Sequence, residues 1–132
     1  MTFRSLLSLR NLLMVDAATC AGTGILLALA AGPLGALTDI PSTLLFVVGI
    51  ALLPIALFMA VVAAQPAHAA IWLIILGNAL WVAGSLLLLL GPWITPNALG
   101  AGFIVVQAAA VAALAWFEHA ALRGTPTALV AG

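Results

Sequence analysis

The chain has 132 residues, a length that favours one domain, and 67% of them are hydrophobic against 5% charged. A soluble domain carries about 25% charged residues, so a globular surface facing water on all sides is excluded. Three arginines balance three acids, which also excludes the basic footprint of a nucleic-acid binder and a polybasic lipid-binding segment. The sequence predicts an all-α, four-helix transmembrane bundle with a short amphipathic N-terminal segment.

That segment covers residues 1–14. Phe3, Leu6, Leu7, Leu13 and Met14 can share one helical side and Arg4, Ser5, Ser8 and Asn11 another, as in a helix lying in the membrane interface. The competing reading is a secretory signal, with Arg4 and Arg10 before an apolar run that closes on Ala28-Leu29-Ala30. Asp16 interrupts that run, and the run is long for such a signal.

The first span is predicted at about 16–31. Asp16, Thr19, Cys20 and Thr23 fall at i, i+3, i+4 and i+7, which makes a polar stripe. Ala17, Ala21, Gly22 and Gly24 allow close backbone approach. Gly32-Pro33 ends or kinks the helix. If Asp16 is an N-cap instead, the span slides toward Leu37 with Pro33 inside it. Cys20 is the single cysteine, so no internal disulfide is available.

Leu34 to Ser42 reads as a loop with Asp39 as its only charge. Pro41 opens the second span, about 43–64, where its missing N–H costs nothing. Pro54 should kink that helix. Gln65-Pro66-Ala67-His68 reads as a tight polar turn. The third span, about 70–90, is long enough to cross a bilayer, which takes roughly 20 apolar residues. Within it Asn78, Trp81 and Ser85 fall at i, i+3 and i+7. Hydrocarbon offers an Asn amide no partner, so that face should turn toward other helices. Gly91-Pro92 closes the span. Thr95 reads as the N-cap of the fourth span, about 98–119, with Pro96 at its first position. Gln107, Val111, Leu114 and Glu118 share a face there, and the Ala-rich run from Ala108 to Ala113 should sit close against a neighbour. Arg123 ends this helix, and residues 124–132 read as a short tail.

Four spans put both termini on one side, together with Arg4, Arg10 and Arg123. The positive-inside rule makes that side, with the Gln65–His68 turn, the cytoplasm, and the expected location is a cell inner membrane. A faint repeat runs from Gly24-Ile25-Leu26-Leu27, before Gly32-Pro33, to Gly84-Ser85-Leu86-Leu87, before Gly91-Pro92. It would be a parallel duplication of helical hairpins.

Asp16, Asn78, Trp81, Ser85, Gln107 and Glu118 are the candidate polar intramembrane site. Asp16, Glu118 and His119 could form a cytoplasmic-side proton or cation site. An ionised acid at mid-helix costs on the order of 2.5–3.5 kcal/mol, and near the cytoplasmic boundary, where Asp16 and Glu118 are placed, both can be hydrated and the cost shrinks. The plainer reading is anchoring at the membrane boundary, with Asp16 capping a helix and Glu118 paired with an arginine. Asn78 and Gln107 are expected to bond to each other, with a substrate-contacting pair as the sharper alternative. Ser85 is a candidate partner for the Trp81 indole N–H, and Trp81 belongs to a packed core or, alternatively, to an aromatic wall for a ligand. Trp72, Trp93 and Trp116 suit the interfacial belts. His68 and His119 do not face each other at mid-membrane, so no haem is expected, and no zinc spacing, P-loop or nucleophile elbow is present. The reading therefore includes no enzyme activity, no cofactor and no metal.

From Ile71 to Arg123 the pattern is Asn78-x-x-Trp81-Val82-x-Gly84-Ser85, then Thr95-Pro96-x-Ala98-Leu99-Gly100, Phe103, Gln107-Ala108, Glu118 and Leu122-Arg123. This resembles an uncharacterised family of small four-span bacterial integral membrane proteins. The resemblance implies the topology and brings no activity, cofactor or catalytic residue with it. The expected partners are the lipid bilayer and either further copies of the chain or a larger membrane complex, and not nucleic acid. The leading expectation is an accessory subunit that acts through helix packing. The alternative is a small homo-oligomeric permease or channel with a polar intramembrane site.

Overall fold

The computed structural model describes the backbone of residues 2–125 and the side chains from residue 8 onward. Among the described residues five helices follow one another: α1 (Thr2–Leu29), α2 (Ala31–Thr38), α3 (Ser42–Ala64), α4 (His68–Leu90) and α5 (Ala98–Arg123). Four of them carry stretches long and apolar enough to cross a membrane: Ser8–Leu29, Ser42–Ala64, His68–Leu90 and Ala98–Arg123. The chain is a multi-pass membrane protein built as an all-α four-helix bundle. Helix is the obligatory choice here, because lipid satisfies no backbone N–H or C=O. Leu80, Leu90 and Val106 stand exposed on the outside of the bundle, where acyl chains rather than water meet them.

Two helix pairs make the bundle. α1 lies along α3, α4 lies along α5, and contacts between α1 and α5 join the pairs. The α1–α3 crossing is backbone on backbone. A Cβ added to Gly49 would stand 2.6 Å from the Ala28 nitrogen, and one added to Gly24 would stand 2.9 Å from the Gly49 oxygen. By contrast α3 and α4, though consecutive, touch only sparsely. Leu9, Leu13, Met59, Val62, Ile71, Ile74 and Leu122 form a core at one end. Leu27, Ile40, Leu45, Leu52, Ile94 and Ile104 form a second core at the other. Leu9 of α1 and Leu122 of α5 share the first core, so the start of α1 and the end of α5 lie at the same end.

The connections depart from the sequence reading in three places. The N-terminal segment is not a separate interfacial helix. α1 runs unbroken from Thr2 to Leu29, no proline stands in that stretch, and Leu9 and Leu13 are fully buried in the bundle wall. The side chains of Phe3, Arg4, Ser5, Leu6 and Leu7, on which the amphipathic reading leaned, lie outside the described residues, as does the tail beyond residue 125. Secondly, Leu34–Ser42 is mostly helix, not loop. The chain breaks at Ala30 and restarts as α2 with Pro33 in its first turn, where no intrahelical N–H bond is due. α2 stops at Asp39, whose φ of 56° is left-handed and whose N–H closes on the Gly35 oxygen. Thirdly, the cap of α5 is Asn97, not Thr95. The Asn97 side-chain oxygen accepts from the Gly100 N–H at 2.9 Å, while its amide nitrogen donates to the Leu37 oxygen at 2.7 Å. Asn97 thereby caps one helix and fastens the α4–α5 connection to the end of α2. Pro54 sits inside α3 without dividing it.

Candidate functional site

Three helices bring their polar side chains to one place in the interior. Asp16 of α1, Asn78 of α4 and Glu118 of α5 are all buried, Glu118 completely. The Asn78 amide nitrogen donates to Asp16 Oδ2 at 2.7 Å and to Glu118 Oε2 at 3.3 Å. An amide NH₂ has two hydrogens, and here each is directed at a different carboxyl group. Glu118 Oε1 is buried with no hydrogen-bond partner. Arg10 and Arg123 are exposed, and His119 is turned away, its ring meeting Trp72 edge-on at 5.3 Å.

A second network binds α4 to α5. The Trp81 indole N–H donates to Gln107 Oε1 at 2.7 Å. The Gln107 amide nitrogen donates to Ser85 Oγ and to the Ile104 carbonyl, both at 3.0 Å. Ser85 Oγ in turn donates to the Trp81 carbonyl at 2.7 Å. These bonds close a ring in which the indole N–H, the amide and the hydroxyl each have partners.

All six candidate residues thus belong to two networks, but the pairing differs from the expectation. Asn78 and Gln107 do not bond to each other, because α4 and α5 meet in a register that sets Gln107 beside Trp81 and Ser85. Asn78 lies about one to two turns away from those residues and faces the acids instead. The Trp81 N–H goes to Gln107 and not to Ser85, whose hydroxyl lies on the backbone of its own helix. Asp16 is not a helix cap, since α1 continues on both sides of it. Glu118 is bonded to an amide rather than to an arginine, and His119 does not join the acids.

Beside the networks lies a half-open cavity of about 430 Å³ that all four long helices line. Its polar wall consists of Asp16, Thr19, Cys20 and Thr23 on α1, with Asn78, Trp81 and Gln107 opposite. Phe58 and Met59 of α3 and Leu73 of α4 supply apolar surface, and Gly77 leaves open space where a side chain would stand. Glu118 is not among the lining residues. It lies behind Asn78, in bonding range of the same nitrogen as Asp16. The Cys20 thiol donates to the Leu52 carbonyl at 3.4 Å, and the Thr19 hydroxyl is held by the carbonyls of Val15 and Asp16.

Sequence reasoning missed the α3 side of this cavity and the role of Gly77. The α1 stripe was legible as polar, but α3 is apolar on every face, so nothing in its pattern marks Phe58 or Met59. An empty Gly77 can be recognised only once the neighbouring helices are in place. Comparison of the chain with family models, with curated proteins and with solved structures gives no match.

Proposed function

We propose that this chain is a small permease of the cell inner membrane, working as a homo-oligomer, whose substrate site is the cavity between α1, α3, α4 and α5. The observation that carries this reading is the cavity itself: about 430 Å³ of space with Asp16, Asn78 and Gln107 in its wall. Ligand sites have this character, mostly apolar with a few convergent polar groups, and fall in the range of about 300–1,000 Å³. Ionisable groups held inside a membrane domain mark substrate and ion pathways. The sparse contact between α3 and α4 supplies a seam along which the bundle can open. Arg10 and Arg123 near one end of the bundle, with Asp39 at the other, support cytoplasmic termini. The resemblance of the second half to four-span bacterial proteins supports the inner membrane.

The accessory-subunit reading keeps one observation in its favour. Gly22 of α1 and Gly102, Ala109 and Ala113 of α5 are exposed, which leaves small-residue surface free for another helix. The same surface serves self-association in the permease reading.

Gly77→Phe separates the two. Its ring enters the open space beside Gly77 and occupies part of the cavity, while every hydrogen-bonding side chain of the two networks is left unchanged. Uptake of a panel of neutral, cationic and anionic solutes into vesicles reconstituted with the wild type and with this variant is the test. Protein-dependent uptake that Gly77→Phe abolishes, with oligomeric mass unchanged, supports the permease. No uptake above protein-free vesicles, together with a distinct membrane protein retained through purification in mild detergent, overturns it in favour of the subunit.

A further inference from the structure

We propose that the cavity takes an organic monocation with an apolar body, bound against Asp16 in exchange for one proton of the Asp16–Glu118 pair. This rests on the permease reading and gives it a substrate class.

The charges around the pair carry the argument. α1 contributes Asp16 and the Cys20 thiol, α4 the Asn78 amide, and α5 Glu118, whereas α3 presents only apolar residues such as Leu52 and Met59. No positive side chain faces the acids among the described residues. Arg10 and Arg123 are exposed, His119 packs on Trp72, and His68 is the first residue of α4. Two carboxyl groups held by a single amide nitrogen in a low-dielectric interior need positive charge from elsewhere, since an unpaired buried charge costs several kcal/mol. Two protons meet that need, and so do one proton and one monovalent cation. Glu118 Oε1, buried and unpartnered, is the oxygen on which a retained proton can sit.

The exchange balances. One carboxyl O–H bond breaks as the cation docks, the proton leaves to water, and the net charge of the site is the same before and after. Asp16 lines the cavity and meets the ligand, while Glu118 lies behind Asn78 and holds the remaining proton. The walls match an organic cation better than a bare metal ion. Hard cations take six or more oxygen ligands, and among the described residues no three His, Cys, Asp or Glu side chains converge. Phe58, Met59 and Trp81 instead offer apolar and aromatic surface, which suits a cation that carries its own hydrocarbon.

Tetraphenylphosphonium and tetraphenylborate have nearly the same shape and opposite charge, and their binding to the purified protein in detergent tests the proposal. Saturable binding of the phosphonium only is expected, with one proton released per cation bound. The apparent Kd should rise about tenfold per unit fall in pH where the proton competes. Asp16→Asn should abolish both binding and proton release. Gly77→Phe should abolish binding with all polar groups intact, so the test survives if Asp16→Asn does not fold. Equal binding of the two probes, binding without proton release, or no binding of either overturns the cation assignment. Protein-dependent uptake of other solutes would then still uphold the permease reading. Saturable phosphonium binding without any solute uptake would do the reverse, removing the permease and leaving a cation site.

Discussion

Asn78 has the most consequential side chain in the bundle, because among the described residues it is the only hydrogen-bond donor on the Asp16 and Glu118 carboxyls. Asn78→Leu would leave both without a donor. Each orphaned buried polar group costs about 1–3 kcal/mol, and more when charged, so a large fall in thermal stability in detergent is expected. Gln107→Leu makes the contrast. It removes bonds to Trp81 and Ser85, but interhelical bonds in membranes average about 0.6 kcal/mol and the surroundings are partly exposed. Its midpoint should move by a small fraction of the Asn78→Leu shift, and equal shifts would mean that the two networks are not ranked as their burial implies. The six polar residues could be picked out from the sequence because amides and acids are rare in such a chain. Which of them bond was not legible, since the partner of Asn78 depends on a helix register that hydropathy does not encode.

Among the helices, the α1–α3 crossing is the tightest element contact and depends on two glycines. Gly49→Val would drive its side chain into the α1 backbone, and overpacking of this kind costs about 1–3 kcal/mol. Gly22→Val has open space around it, so the fold should keep its stability while any oligomer packed on that face weakens. Thermal unfolding and mass in detergent, read side by side, check both. Asn97→Ala should cost about 1 kcal/mol as a lost N-cap and should also free the α4–α5 connection from Leu37, which faster amide exchange in α2 would report. The small residues of α1 were visible in the sequence as a means of close approach. That Gly24 is used inside the chain, against Gly49, is a matter of which helix lies next to which.

For the molecule as a whole, the weak seam is α3 against α4. Ile55 and Leu73 flank the cavity from those two helices. Ile55→Cys and Leu73→Cys, joined by a short cross-linker in a Cys20→Ser background, should suppress solute uptake by holding the seam shut. Uptake unaffected by full cross-linking would mean that the seam is not the route. Labels at the two chain ends should react from the same side of sealed vesicles, since four crossings return the chain to where it began.

The sequence by itself determined the solvent, the helical class and the four spans, because hydrocarbon leaves the backbone no alternative and twenty-residue apolar runs are unmistakable. It also marked the six polar residues, whose burial in lipid would be too costly to be incidental. Only the tertiary structure decided that these residues divide into an acid pair on one amide and a closed ring around Gln107. It alone decided that an apolar helix completes the cavity, and that the first segment continues into the first span. Those outcomes depend on how rods of nearly uniform hydrophobicity rotate and slide against one another. That choice is made by van der Waals fit and a few hydrogen bonds between residues far apart in the chain, and no local periodicity records it.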